Sequence, residues 1–69
     1  MNLYDLPIGV VAIIKTAAED ERLSEIFIEG ERVKIIAKTP FGGPVAVKVY
    51  GTAFALNEHE AKSIEVTIL

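Results

Sequence analysis

Histidine and carboxylate side chains suitable for metal binding occur together at one place in this sequence. His59 is the single histidine and stands between Glu58 and Glu60. Adjacent positions of a helix do not face each other, so these three side chains do not form a ligand set by themselves. A tight transition-metal site requires several His, Cys or carboxylate ligands around one cavity, and the chain has no cysteine. We therefore expect a solvent-exposed His59, no stoichiometric metal and no cofactor.

Two serines, Ser24 and Ser63, are the candidate nucleophiles. A serine nucleophile needs an adjacent base, and His59 could serve one of them at most. Ser24 falls in a helical pattern and Ser63 at a helix-to-strand junction, which are ordinary places for serine. The glycine pair in residues 41–43 lacks the Lys-Ser/Thr pair and the following helix of a phosphate-binding loop. The sequence predicts a protein that is not an enzyme.

Composition indicates one small domain, residues 1–69. The hydrophobic fraction is 51% and the charged fraction is 25%, which favours a compact domain over disorder. The net charge is −3, with seven basic residues scattered among ten acidic ones, so we expect no nucleic-acid partner. The longest apolar run, residues 10–14, is far shorter than the ~20 residues of a membrane span. No leader pattern is visible and cysteine is absent, so we expect a soluble, cytoplasmic protein without membrane insertion.

The order of elements predicts a mainly β fold. Five apolar or alternating segments indicate strands at residues 10–15, 31–38, 45–50, 53–56 and 64–68. Residues 16–19 form a capping-box sequence, so a short helix should run to about Ile26 with Leu23, Ile26 and Phe27 on its apolar face. In the second strand Val33, Ile35 and Ala37 should share a face. Asn57 and Glu60 predict one helical turn.

The apolar runs in residues 41–56 have different phases. The first run places Val45, Val47 and Val49 at odd positions, whereas Phe54 and Leu56 stand at even positions. Because side chains alternate along a strand, one continuous strand would send the two sets to opposite faces. A tight hairpin resolves the conflict, because directly opposed residues share a face.

Glycine at position 51 suggests where this hairpin turns. Gly at the first central position of a two-residue loop favours a type II′ turn with Gly51 and Thr52 at its centre. This turn predicts three cross-strand pairs: Tyr50–Ala53, Val49–Phe54 and Val47–Leu56. Phe54 is then a core residue, and the five strands form a small, closed and highly curved sheet.

Taken in order, these residues resemble the FeoA family, small cytosolic proteins of prokaryotic ferrous-iron uptake. The resemblance covers essentially the whole chain through the following residues: Leu3, Leu6, Gly9, Arg22-Leu23, Gly30-Glu31-Arg32-Val33, Pro40-Phe41-Gly42-Gly43-Pro44-Val45, Val47, Val49, Gly51, Phe54-Ala55-Leu56, Ala61 and Ile64-Glu65-Val66. It implies a five-stranded Src-homology-3-like barrel with one short helix and a helical turn. The same domain occurs at the C-terminus of iron-dependent repressors.

The resemblance implies an accessory role that is carried out by contact with another protein. The implied partner is the membrane permease FeoB, through its cytoplasmic GTP-binding region. A partner surface is expected on the loop of residues 39–43, with Phe41 as anchor beside Pro40 and Gly43, next to the short helix at Leu23. The alternative for Phe41 is that it folds inward and caps the barrel. Two other functions stay open: a detached regulatory domain like that of the repressors, or a small nucleic-acid-binding barrel.

Strand one is apolar on both faces. With Ala12 and Ile14 inward, as the family pattern suggests, Val11 and Ile13 point outward. The outer face of the hairpin adds further residues, with Lys48 as its only charge: Ala46, Tyr50, Ala53 and Ala55. We expect this surface to be covered by self-association, most simply a two-fold dimer, or by the partner. The alternative is that the short helix covers part of it.

Overall fold

The computed structural model describes residues 1–16 and 20–69. These residues form one five-stranded antiparallel sheet and three short helical segments. In chain order the elements are a 3-10 helix (Leu3–Asp5), β1 (Val11–Thr16), α1 (Glu21–Ser24), β2 (Arg32–Lys38), β3 (Val45–Val49), β4 (Thr52–Leu56), α2 (Glu58–Lys62) and β5 (Glu65–Ile68). The strand order is β4-β3-β2-β1-β5. The predicted mainly β architecture is confirmed.

The sheet curves strongly around its apolar face. The molecule measures 28 × 24 × 22 Å, which is close to isotropic, whereas a flat sheet of five strands would be much thinner than it is wide. α2 connects the two edge strands, β4 and β5. The first residues pair with β5, because Leu3 N–H donates to the Ile64 carbonyl and Val66 N–H donates to the Met1 carbonyl, both at 2.8 Å. None of the described helices is long and apolar enough to cross a membrane.

One contiguous core lies on the concave side of this sheet. Ala12 and Ile14 of β1 are fully buried, so the predicted inward pair on that strand is confirmed. Phe27 is the largest buried side chain and lies in the segment between α1 and β2. The other buried residues come from every strand and from the helical segments: Leu3, Leu6, Leu23, Val33, Ile35, Val45, Val47, Val49, Leu56, Ala61, Ile64 and Val66.

The short helix is shorter than predicted. α1 begins after Asp20, whose carboxylate accepts a hydrogen bond from Arg22 N–H at 2.8 Å. It ends at Ser24 instead of Ile26, because Ile26 N–H bonds the Leu23 carbonyl and thereby tightens the last turn. Leu23 and Phe27 are nevertheless buried and Ile26 packs against the core, as the apolar spacing predicted. Thr16, the first residue of the predicted capping box, is the last residue of β1, and residues 17–19 lie outside the described residues.

A β-bulge changes the predicted face of Ala37. Ile35 pairs with Val47, but Ala37 pairs with Ala46, so Ile36 is an extra residue on β2. An inserted residue reverses the alternation beyond it. Ala37 is therefore exposed beside Ala46, and the prediction that it shares the face of Val33 and Ile35 was wrong.

The β3–β4 hairpin turns one residue earlier than predicted. Tyr50 and Gly51 are its central residues, with φ values of 56° and 74°, and two positive φ values are typical of a type I′ turn. The predicted pairs were wrong, because the observed pairs are Val49–Thr52, Lys48–Ala53, Val47–Phe54, Ala46–Ala55 and Val45–Leu56. Moving the turn by one residue changes the pairing by two, which leaves the three valines on the same face as Phe54 and Leu56, as predicted.

α2 has the predicted capping box. The Asn57 side chain accepts from Glu60 N–H at 2.7 Å, and the Glu60 carboxylate accepts from Asn57 N–H at 2.9 Å. This reciprocal pair satisfies two of the donors at the start of the helix. α2 packs against the 3-10 helix and β4, so it is fixed at the surface between the two sheet edges.

Candidate functional site

The loop between β2 and β3, residues 39–44, is closed on itself. Thr39 donates twice to the Pro44 carbonyl, from its backbone N–H at 3.1 Å and from its hydroxyl at 2.6 Å. The Tyr4 hydroxyl donates to the Gly43 carbonyl at 3.5 Å. These bonds hold both ends of the loop against the body of the domain. We call residues 39–44 the β2–β3 loop.

Phe41 projects fully into solvent from the tip of this loop. Its φ is 62°, and the following Gly42 has a φ of 76°. A non-glycine residue rarely adopts a positive φ, because its Cβ approaches the backbone. Because its side chain is fully exposed, Phe41 does not fold inward to cap the barrel. Pro40 is exposed as well, whereas Gly43 is half-buried.

Gly43 allows the loop to close. A Cβ built at this position would lie 2.7 Å from Thr39 Cγ2 and 2.8 Å from Thr39 Cβ. Thr39 is held by its hydrogen bonds to Pro44, so it cannot easily move away. Glycine is therefore required by close packing inside the loop, whereas Phe41 is exposed outside it.

Leu23 does not lie on the same exposed surface as Phe41. Its side chain is 4% exposed and belongs to the core. It lines a groove of about 260 Å³ between α1 and β4, together with Ile26, Phe27 and Phe54. Leu23 can touch a partner only through this groove. The main role of Leu23 is to anchor α1 to the core.

α2 separates this groove from the β2–β3 loop. On the groove side, the Arg22 guanidinium and the Glu60 carboxylate form an ion pair at 2.8 Å. On the loop side, a Cβ at Gly42 would lie 3.0 Å from Glu58 Oε1, so the Glu58 carboxylate packs against the loop backbone. His59 is exposed, as predicted, and lines a shallow depression with Gly42.

The Lys62 ammonium group connects α2 to the N-terminal segment. It pairs with Glu58 at 2.5 Å and lies 5.5 Å from the centre of the Tyr4 ring. The hydrogen bond to Glu58 raises the pKa of Lys62. Since Tyr4 also reaches Gly43, the loop, the 3-10 helix and α2 form one connected surface.

The candidate nucleophiles are engaged in helix structure. The Ser24 hydroxyl donates to the Glu21 carbonyl at 2.8 Å, and the Ser63 hydroxyl donates to the Glu60 carbonyl at 2.7 Å. Over residues 1–16 and 20–69 the structure brings together no group of three His, Cys, Asp or Glu side chains suited to a metal ion.

The outer face of the sheet carries more charge than predicted. Val11 and Ile13 point outward as expected and are half-buried. Lys48 is the only charge on the outer face of the hairpin, as predicted. The prediction left out β2, which adds two charges to the outer face of the sheet, because Lys34 lies directly opposite Lys48 and Arg32 lies opposite Ile13. The sequence of β2 already indicated these outward charges. Side chains alternate along a strand, so positions 32 and 34 must face away from the buried positions 33 and 35.

A shallow groove of about 250 Å³ runs across this outer face. Its lining includes Arg32, Lys34, Lys48 and Tyr50, with Val11 at one end. Tyr50 is 56% exposed. Partial burial raises the pKa of Tyr50, and the nearby Glu31 carboxylate raises it further.

Together, the curved five-stranded antiparallel sheet and its short helical segments define a small Src-homology-3-like barrel. The particular family is shown by sequence: the model of the FeoA domain matches residues 1–68, and the chain belongs to the FeoA family. A comparison with curated protein sequences found no match.

Solved structures agree with this assignment. FeoA of Stenotrophomonas maltophilia, crystallised with zinc, is 36% identical with a TM-score of 0.83, and the match covers 97% of this chain and 89% of that one. It is described as a prokaryotic SH3 domain protein and a candidate activating factor of bacterial ferrous iron transport. Iron(II) transport protein A of Clostridium thermocellum is 31% identical with a TM-score of 0.87, over 100% of this chain and 46% of that one.

A regulatory protein shares the same fold. A manganese-dependent transcriptional repressor matches 100% of this chain with 41% of its own, at a TM-score of 0.80 and 20% identity. At this identity the match shows the fold alone.

Proposed function

We propose that this protein is an accessory factor of ferrous iron uptake that binds the cytoplasmic GTP-binding region of a FeoB permease through the β2–β3 loop. Membership of the FeoA family supports the iron-uptake role. The observation that supports the contact is the fully exposed Phe41 on a loop closed by hydrogen bonds. The role is a protein–protein contact that biases the transporter or its nucleotide cycle, and it requires no catalytic group on this chain.

The energetics of the loop suit docking. Burying a phenylalanine side chain against a partner contributes about 1.5–3 kcal/mol. The loop is already held by the bonds from Thr39 to Pro44 and from Tyr4 to Gly43, so little conformational entropy is lost on binding. Rigid aromatic anchors of this kind dominate the affinity of many interfaces.

Pro40 and Gly43 support the anchor in different ways. Pro40 fixes the backbone φ immediately before Phe41 and adds exposed apolar surface beside it. Gly43 permits the close packing on Thr39 that shapes the loop. Leu23 contributes from the core, by fixing α1 and with it the Arg22–Glu60 ion pair that joins α1 to α2.

Calorimetry with the purified GTP-binding region of the permease from the same organism tests the contact. Phe41→Ala should leave the urea midpoint unchanged, because the side chain touches solvent only, and should weaken binding at least about tenfold. Ile28→Ala is the matched control, since Ile28 is an exposed apolar residue outside the loop. Its affinity should stay within about twofold of the wild type.

Equal affinities for Phe41→Ala and the wild type would overturn the proposed docking surface. Equal losses in Phe41→Ala and Ile28→Ala would do the same, because they would indicate a diffuse apolar effect. Ferrous iron uptake in cells that carry the permease provides the second readout, and it should fall with Phe41→Ala but not with Ile28→Ala.

A further inference from the structure

The outer groove gathers three of the seven basic residues on a chain of net charge −3. We call Arg32, Lys34, Lys48 and Tyr50, with Val11 at one end, the cationic groove. The antiparallel register places Val11 opposite Lys34 and Lys34 opposite Lys48. A single row across β1, β2 and β3 therefore runs from an aliphatic side chain to two ammonium groups.

The pairing of Lys34 with Lys48 opposes folding. Directly opposed side chains on antiparallel strands lie about 4.5–5.5 Å apart at Cβ, and like charges there are destabilising. Two cations elsewhere on the surface have acidic partners: Arg22 pairs with Glu60 and Lys62 pairs with Glu58. No ion pair over residues 1–16 and 20–69 includes Arg32, Lys34 or Lys48. The groove thus gathers three positive charges that have no ion-pair partner among the described residues.

We propose that the cationic groove binds an extended, acidic segment of a partner protein. Alternate carboxylates of such a segment would meet Arg32, Lys34 and Lys48, and an intervening apolar side chain would pack on Val11 and the Tyr50 ring. The groove shares no lining residue with the depression beside the β2–β3 loop or with the groove beside Leu23. This inference therefore stands independently of the FeoB contact.

A peptide suits the groove better than a nucleic acid does. Single-stranded nucleic acids bind to successive stacking aromatics along a basic track, whereas Tyr50 is the single aromatic residue in the groove lining. The Glu31 carboxylate is close enough to Tyr50 to raise its pKa. It would repel the phosphates that flank a base stacked on this ring, whereas the proposed peptide presents an uncharged apolar side chain to Tyr50 and its carboxylates to the three cations. Val11 offers an apolar contact that a sugar-phosphate backbone does not use.

Fluorescence anisotropy with a labelled peptide that alternates glutamate and valine provides the test. The matched pair of variants is Lys34→Gln/Lys48→Gln and Lys15→Gln/Lys38→Gln. Both remove two exposed or partly exposed lysines, and the second pair lies outside the groove lining. Affinity should fall at least about tenfold in the first variant and less than about twofold in the second. A peptide with glutamine in place of glutamate should not bind.

The salt dependence of peptide binding and a comparison with oligothymidylate are two further tests of the cationic groove. Binding of the acidic peptide should weaken between about 0.05 M and about 0.5 M salt, as expected for partly exposed charges. Equal losses in both double variants would overturn the groove assignment, because they would indicate general electrostatic attraction. Tighter binding of oligothymidylate than of the peptide would also overturn it, as would no peptide binding by the wild type at about millimolar concentration.

Discussion

Lys34 of β2 lies directly opposite Lys48 of β3 in the antiparallel register. Both side chains face outward, because their strand neighbours Val33, Ile35, Val47 and Val49 are buried. Two ammonium groups at one cross-strand position reduce the stability of a domain that has only 69 residues in which to build a core. Residues that oppose folding without a local compensation are typical of functional surfaces.

The first prediction concerns the stability cost of this pair. Lys34→Gln removes one charge and keeps a long side chain, so it should increase the free energy of unfolding by about 0.2–1 kcal/mol. Urea denaturation at low salt measures the change. Lys38→Gln, an exposed lysine paired with Val45 on the same two strands, is the control and should change stability by less than about 0.5 kcal/mol.

Added salt should reduce the difference between Lys34→Gln and the wild type, because counterions screen the repulsion. A Lys34→Gln protein that is less stable than the wild type at low salt would show that the two ammonium groups do not repel each other significantly.

The second prediction concerns the hairpin turn. Tyr50 has a φ of 56°, a conformation that asparagine adopts more readily than tyrosine, and Asn-Gly is the preferred pair for a type I′ turn. Tyr50→Asn should therefore raise Tm by about 2–6 °C. Gly51→Ala is the opposite control and should lower Tm, because Gly51 has a φ of 74°. A lower Tm for Tyr50→Asn would mean that the contacts of the exposed ring outweigh the backbone strain.

The alternation of apolar residues was sufficient to predict which faces of the sheet are buried, except beyond the bulge at Ile36. The phase change between Val49 and Phe54 required a tight hairpin, and the buried faces follow from it. The position of the turn was missed because Gly51 fits either central position of a two-residue loop, while the tyrosine before it gave no sign of a positive φ. The bulge at Ile36 was missed for a related reason, since no glycine or proline marks it.

The candidate site was predictable only in part. The prolines and glycines around Phe41 indicated an ordered loop but left open whether Phe41 points outward or caps the barrel, and the structure shows the outward position. Whether Leu23 belonged to the same surface depended on how α1 packs, which is a tertiary property. The cationic groove depends on cross-strand pairing, because Lys34 and Lys48 are far apart in sequence and only the register places them together.

The third prediction compares the contributions of two phenylalanines to stability, both of which the sequence predicted to be core residues. Phe27 and Phe54 make an edge-to-face contact with ring centres 6.1 Å apart. Phe27 is fully buried, whereas Phe54 is half-buried at the groove beside α1. Phe27→Ala should cost about 3–5 kcal/mol of unfolding free energy. Phe54→Ala should cost about half as much, since less apolar area leaves water when this residue folds.

Urea denaturation of both variants measures this difference, and Phe54→Leu is the conservative control that retains most of the apolar volume. Equal costs for the two alanine substitutions would mean that Phe54 is a full core residue, as the sequence alone predicted.

The last prediction concerns self-association through the outer face, which was expected from Val11, Ile13 and Tyr50. A two-fold dimer on this face would bring Arg32, Lys34 and Lys48 of one copy close to the same residues of the other, because an isologous interface uses one surface twice. We therefore expect sedimentation equilibrium to show a larger dimer fraction at about 0.5 M salt than at about 0.05 M, where the charges are less screened.

Variants of this face distinguish the contribution of apolar contacts to dimer formation from the contribution of charge repulsion. Ile13→Lys adds a further cation to the face and should abolish the dimer at both salt concentrations, whereas Lys34→Gln should increase the dimer fraction at low salt. Ile28→Lys, at an exposed apolar position outside this face, should leave the equilibrium unchanged. A monomer under all conditions, with no response to Ile13→Lys, would show that the outer face does not self-associate. Its apolar residues would then be available to a different partner, such as the acidic segment proposed for the cationic groove.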